Sequence, residues 1–138
     1  GSDEGETQDT PYFNGNYWIY PLGGQEYYFT NSIESIEFDE LSFDLSLNQY
    51  VGKNLYIDSE NEEVLRMIGS NLGRFADRVQ EACYGECERD LPEKECSENI
   101  IVYKDSEEEN VVKEDNCIFI DGSLKTVDSF LYRVLGFN

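Results

Sequence analysis

The sequence contains no histidine. This absence excludes Ser-His-Asp and Cys-His catalysis, and it excludes zinc sites with histidine ligands. No P-loop and no G-x-G-x-x-G motif occurs, so the common glycine-rich phosphate cradles are missing as well. Catalysis would have to use paired carboxylates, a cysteine thiolate or a tyrosine. With 30 Asp and Glu residues, two neighbouring acids in the sequence indicate nothing by themselves.

Basic residues are scarce. The chain has 10 Lys and Arg residues against 30 acids, a formal net charge of −20, and none of the bases precedes Lys53. A field of this sign repels nucleic-acid phosphates and anionic membrane surfaces, so we expect no nucleic-acid partner. Adaptation to high salt and mimicry of nucleic acid are two further explanations of so acidic a protein.

Long apolar runs are also missing. The sequence contains no run of about eighteen apolar residues, which is the length that a transmembrane helix needs. The opening Gly1-Ser2 is typical of a cleaved purification tag, and a signal sequence or a membrane tether before Asp3 stays open. Residues 1–10 are small and polar, which predicts a disordered lead or tag remnant. Residues 11–138 are expected to form a single domain.

Four cysteines are present, with the spacing C-x3-C-x8-C-x20-C: Cys83, Cys87, Cys96 and Cys117. Neither pair has the C-x2-C spacing of zinc knuckles and thioredoxin-type thiols. The pattern favours two disulfides, with a metal site or free redox thiols as the alternatives. We expect Cys83 and Cys87 not to join each other, because so short a loop restricts the unfolded chain little. Disulfides predict an extracellular location or the outer face of the cytoplasmic membrane.

Period-two alternation predicts strands at 33–38 and 41–47, paired antiparallel, and a further strand at 54–57. A long helix should follow, because Ser59 and Glu62 have the spacing of a capping box. Its apolar stripe would be Val64, Leu65, Ile68, Leu72, Phe75 and Val79. We expect it to end near Cys83, ahead of Gly85.

The last part of the chain predicts a hairpin, in which residues 100–103 precede the acidic turn 105–110, and Val111, Val112 and residues 117–120 follow it. A helix from about Leu124 to Leu135, closed by Gly136, comes last. The fold class is therefore α+β, an antiparallel or mixed sheet with one long and one C-terminal helix packed on one face and stapled by disulfides. Residues 54–57 and 100–103 could be parallel strands joined by a crossover.

Residues 12–28 are rich in aromatics and hold the only Trp, and Gly and Pro punctuate them. This composition predicts turns and short extended pieces. Aromatic side chains with polar tips are favoured where one end is wet and the other apolar. The candidate binding surface is Tyr12, Phe13, Tyr17, Trp18 and Tyr20, and a lid over the sheet is the alternative.

These patterns favour an extracytoplasmic, non-enzymatic binding or structural module, with a protein or a small ligand as partner. No cofactor is expected: residues 58–63 resemble a calcium loop but lack the glycine and the final acid of an EF-hand. The alternatives are a thiol-redox enzyme that uses Cys83 or Cys87, a carboxylate-based enzyme, and an acidic metal-binding protein.

Overall fold

The structure is a computed structural model, and it describes residues 10–36 and 46–137. The strands and helices are, in chain order, β1 (Tyr12–Phe13), β2 (Trp18–Leu22), β3 (Gln25–Phe29), β4 (Asn54–Asp58), α1 (Glu62–Leu72), β5 (Arg78–Glu81), β6 (Cys83–Tyr84), β7 (Glu93–Lys94), β8 (Ile100–Asp105), β9 (Asn110–Glu114), β10 (Cys117–Gly122) and α2 (Leu124–Leu135). The predicted disordered lead, 1–10, lies almost wholly outside the described residues.

The central sheet has five strands in the order β5-β4-β8-β10-β9. β4 pairs in parallel with both β5 and β8, and β8 pairs in parallel with β10. Only the edge strand β9 runs antiparallel. The predicted parallel relation between residues 54–57 and 100–103 is therefore confirmed, with α1 forming the crossover between β4 and β5.

Both helices pack on the same face of this sheet, which confirms the α+β fold class. The buried side chains of that face come from alternate positions of β4, β8 and β10 and from both helices: Leu55, Ile57, Ile101, Ile118, Ile120, Val64, Ile68, Leu72, Val127, Phe130 and Leu131. The opposite face buries a smaller cluster under the segment 83–99. Within the described residues, neither helix is long and apolar enough to cross a membrane.

Helix α1 is shorter than predicted. It begins after Asn61, whose side-chain oxygen accepts hydrogen bonds from the backbone N–H of Glu63 and Val64, whereas Ser59 shapes the turn before it. It ends at Leu72, and residues 78–81 form β5 beside β4. Phe75 and Val79 still pack against the core, from a turn and a strand, which explains why their spacing imitates a longer helical stripe.

Helix α2 has the predicted limits. Ser123 and Thr126 form a capping box at its start, and Gly136 ends it with a φ of 88°. This backbone conformation is accessible to glycine at little cost, and it closes helices frequently.

The predicted strands 33–38 and 41–47 are wrong where the structure describes them. Ile33–Ser35, at the start of the first, forms a 3-10 turn, and another such turn, Leu47–Gln49, begins at the last residue of the second. Serine side chains compete for nearby backbone groups: the Ser35 hydroxyl donates to the Ser32 carbonyl in the first turn, and the Ser46 hydroxyl accepts from the Asn48 N–H in the second. The rest of that pair, residues 37–45, lies outside the described residues.

The hairpin consists of β9, which contains Val111 and Val112, and β10. Residues 100–103 are not part of it, because β10 returns between β8 and β9 and pairs with β8 in parallel. Its two-residue turn begins at Asp115, which has a φ of 51°.

The two predicted disulfides are present, but their connectivity differs from our expectation: Cys83 bonds Cys87, and Cys96 bonds Cys117. The helix does not reach Cys83, so Cys83 and Cys87 flank a turn in which Gly85 has a φ of 71°. All four sulfur atoms are used. The two alternatives to disulfides, a metal site made of these cysteines and free redox thiols, would both need a free thiolate, and the structure contains none at these four positions.

Candidate binding surface

The N-terminal sheet, β1-β2-β3, is attached to α1 through one buried amide. Asn71 is fully buried on α1. Its Oδ1 accepts a hydrogen bond from the Tyr28 N–H at 2.9 Å, and its Nδ2 donates to the Tyr28 carbonyl at 2.7 Å. The side chain thus replaces a neighbouring strand at the outer edge of β3, and it satisfies backbone groups that burial would otherwise leave unpaired.

A buried carboxylate holds the chain where it leaves β3. Asp128, on α2, accepts hydrogen bonds from the backbone N–H and the side chain of both Thr30 and Asn31, at 2.7 to 3.2 Å. Burial raises the pKa of Asp128 to about 6, although these four hydrogen bonds act in the opposite direction. A carboxyl with a raised pKa often marks a catalytic site. Here its oxygens are engaged by the chain itself, so Asp128 serves as a structural anchor.

Tyr20 belongs to the core and not to the predicted binding surface. Its ring is 5% exposed and lies 5.2 Å from the Tyr132 ring, centroid to centroid. Its hydroxyl accepts a hydrogen bond from the Ile33 N–H. Next to it the Phe29 ring stacks on Tyr132 with centroids 3.9 Å apart. The hairpin formed by β2 and β3 is thus fixed to α2 by aromatic packing as well as by Asp128.

The other four predicted residues divide between the two faces of the N-terminal sheet. Phe13 is paired with Trp18, so both side chains lie on one face, with ring centroids 5.5 Å apart. Tyr12 is paired with Ile19 and lies on the other face. Phe13 and Tyr12 are 52% and 41% exposed. The five candidates therefore do not form one continuous patch.

Tyr17 lies beside the face that carries Tyr12, and there it adjoins a groove. Its ring meets the Tyr28 ring edge to face, with centroids 6.3 Å apart. An Asn14 side chain that accepts the N–H groups of Asn16 and Tyr17 fixes the loop that presents it. Tyr12, Ile19 and Tyr28 lie on this same face by register, so two tyrosines flank the buried Ile19 there.

The groove lies between the N-terminal sheet and the exposed flank of α1, and its volume is about 320 Å³. Tyr17 donates a hydrogen bond to Glu63 at 2.8 Å, and Arg66 pairs with the same carboxylate at 2.6 Å. Met67 and Ser70 also line the groove. The site therefore combines two aromatic rings, an apolar thioether and a charged pair.

The helix side of this groove was not predicted. Glu63, Arg66, Met67 and Ser70 recur at spacings of three and four, so they share one flank of α1, and that spacing is visible in the sequence. Nothing local connects that flank to Tyr17, which lies 46 positions away from Glu63.

A larger concavity, about 470 Å³, lies at the amino ends of the parallel strands. Its amide side chains bond to one another and to nearby backbone: Gln49 donates to Asn99 at 3.3 Å, and Asn116 donates to the Ser97 carbonyl at 3.2 Å. These groups hold loops together, so we consider the tyrosine-lined groove the better candidate.

Within the described residues, no group of three or more Cys, Asp or Glu side chains is arranged to hold a metal ion. The groove offers aromatic and charged contacts suited to non-covalent recognition. Comparison of the chain with protein-family models, with curated proteins and with solved structures finds no match.

Proposed function

We propose that the chain is a binding module of an extracytoplasmic, oxidising compartment, and that its groove receives part of a partner protein. The observation that carries this proposal is the tyrosine-lined groove between the N-terminal sheet and α1. Tyr17 and Tyr28 lie on one side of it, and the Glu63–Arg66 pair lies on the other.

Rigidity supports a role in binding. Asn71 and Asp128 hold the carboxyl end of β3 and the residues that follow it, from fully buried positions. A surface ordered before the partner arrives loses less conformational entropy on association. Tyrosine adds large contact area with few rotatable bonds, which lowers that cost further.

Residue composition supports a protein partner. Tyrosine, methionine and arginine are enriched at protein interfaces, and the groove contains Tyr17, Tyr28, Met67 and Arg66. The Arg66 side chain is 56% exposed, so it can exchange its contact with Glu63 for a carboxylate or carbonyl of the partner.

The two disulfides support the compartment, since such bonds persist mainly in oxidising surroundings. A thiol-alkylating reagent checks this point on protein isolated from its native source. We expect no labelling before reduction and four labels afterwards. Labelling of the unreduced protein would contradict the proposed compartment.

The binding role can be tested with a peptide-display library panned against the native protein. Enriched peptides should bind Tyr17→Ala at least about tenfold more weakly, because that change removes an anchor of the groove. Tyr17→Phe, which removes only the hydroxyl bond to Glu63, should have a smaller effect. Leu22→Ala is the matched control, since Leu22 is 51% exposed in the same sheet and does not line the groove. Equal binding to all three variants would overturn the proposal.

A further inference from the structure

Strand β9 forms one edge of the central sheet. Within the described part of the chain it pairs only with β10. Its residues are exposed, apart from half-buried Val111. An edge strand presents a row of unpaired backbone N–H and C=O groups to which another extended chain can bond.

The turn that follows β9 shows which groups face outwards. Glu114 and Cys117 are paired across the two-residue turn. A β-turn of this kind has its hydrogen bond between the first and fourth residues, so Glu114 faces β10. Because successive residues of a strand alternate in direction, the backbone groups of Val111 and Lys113 face the open edge.

Charge determines what can occupy this edge. Five exposed acids lie at or next to the two ends of β9: Glu107, Glu108, Glu109, Glu114 and Asp115. Within the described residues, the ion pairs involve other acids, namely Asp58, Glu63 and Glu81. A second copy of the chain would bring like charges together in either strand direction, which opposes self-pairing. A segment rich in lysine or arginine is attracted at both ends.

A row of apolar side chains across the sheet indicates where a partner strand would place an apolar residue. Val102, Phe119 and Val112 are paired across β8, β10 and β9, so their side chains lie on one face. Val102 is buried, Phe119 is half-buried and Val112 is 37% exposed, so the row ends in solvent. A strand added beyond β9 would extend this row if it placed an apolar side chain next to Val112.

We propose that the β9 edge binds an extended, basic segment of a partner protein, which becomes a sixth strand of the sheet. Its backbone bonds to Val111 and Lys113, an apolar side chain lies beside Val112, and basic side chains lie near Glu109 and Glu114. This is recognition by strand addition, in which the backbone supplies affinity and alternate side chains supply specificity. The proposal is independent of the tyrosine-lined groove.

The probe is a short synthetic peptide with a run of central valines between lysines at both ends, so that valine lies beside Val112 and lysine near Glu109 and Glu114. It is added to isotope-labelled protein and followed by NMR. Chemical-shift changes should concentrate in residues 110–114 and in β10. Two control peptides separate shape from charge: one replaces each lysine by glutamate, and one keeps every lysine but replaces each valine by proline. Both should bind at least about tenfold more weakly, the first through repulsion and the second because proline cannot donate backbone hydrogen bonds.

Two variants at one position test the backbone contact. Lys113→Pro removes an outward N–H and should weaken the peptide about tenfold, a change of about 1.4 kcal/mol. Lys113→Ala keeps that N–H and should bind at least as well as the native chain. If Lys113→Pro does not fold, the variant Glu107→Gln with Glu108→Gln and Glu114→Gln replaces it, with an expected loss of about tenfold.

Three results would overturn the proposal. The proline-containing lysine peptide could bind as tightly as the peptide with central valines, which would indicate charge attraction alone. The shift changes could fall around Tyr17 and α1, which would place the peptide in the groove. The native protein could sediment as a dimer without peptide and lose the dimer in Lys113→Pro, which would make a second copy the occupant.

Discussion

The N-terminal sheet and the segment 83–99 both pack against the central sheet and its helices, but they are held by different means. The N-terminal sheet contains no cysteine and relies on stacked rings and on two buried polar side chains, Asn71 and Asp128. The segment 83–99 relies on two disulfides and on the ion pair between Arg89 and Asp58.

The difference follows from what each segment can bury. Ile19, Tyr20, Tyr27 and Phe29 of the N-terminal sheet are all 5% exposed or less, so apolar burial can hold it in place. In the segment 83–99 only Cys83 is buried, and six acids face two bases. Burial alone cannot offset the conformational entropy that such a segment loses when it is ordered. The disulfides supply the remaining stabilisation.

The largest expected effect tests the aromatic attachment. Tyr20→Ala should lower the free energy of unfolding by about 4 kcal/mol, because it removes a ring packed against Tyr132 and Phe29. Tyr17→Ala should lower it by less than about 1 kcal/mol, since that ring lines an open groove. Denaturant titration measures both. Similar losses for the two variants would mean that the ring of Tyr20 does not anchor the N-terminal sheet.

The next effect tests the covalent attachment. Replacing Cys96 and Cys117 by Ala should cost about 3 kcal/mol, and replacing Cys83 and Cys87 by Ala about 2 kcal/mol, because the longer loop restricts the unfolded chain more. Hydrogen exchange should quicken in residues 83–99 and remain unchanged in β2 and β3. Loss of protection in both places would show that the two attachments are not independent.

The sequence predicted best those features that depend on local signals. Helix α2 has a serine cap and a closing glycine within its own span, so its limits could be read directly. Helix α1 was overextended because Val79 reaches the same core from β5, a contact decided by strand pairing. The presence of disulfides followed from cysteine count and spacing. Their connectivity did not, because it depends on how the chain turns back between Cys83 and Cys96.

The candidate site was predicted only in part, for a related reason. Composition identified the aromatic segment, but it could not separate Tyr20, which the strand directs into the core, from Tyr17, which precedes the strand. The groove also needs Glu63 and Arg66, which only tertiary packing brings to Tyr17. Residues in one element were thus easier to predict than residues that meet across elements.

A smaller effect tests the polar anchor. Asp128→Asn should destabilise the protein by about 2 kcal/mol, because an amide nitrogen would then face backbone donors at Thr30 or Asn31. The loss should appear as faster hydrogen exchange in residues 25–31, with the segment 83–99 unaffected. Thr126→Ser provides a control on the same helix, since it keeps the hydroxyl that donates to Glu109. Unchanged exchange in residues 25–31 would contradict the anchoring role.

The smallest effect is the pH dependence that Asp128 contributes to the N-terminal attachment. The folded pKa of Asp128, about 6, lies above its ordinary value of 3.8, so the folded state retains a proton that the unfolded chain has released. The associated stability is fully present below pH 3.8 and is lost as pH rises through 6, which gives about 1 kcal/mol of added stability between pH 7 and pH 5. Relief of repulsion among the many acids acts in the same direction, but salt screens it. Denaturation at high salt, compared between the native chain and Asp128→Asn, isolates the contribution of Asp128. An identical pH profile for the two proteins would mean that this carboxyl is already ionised, or already protonated, throughout that range.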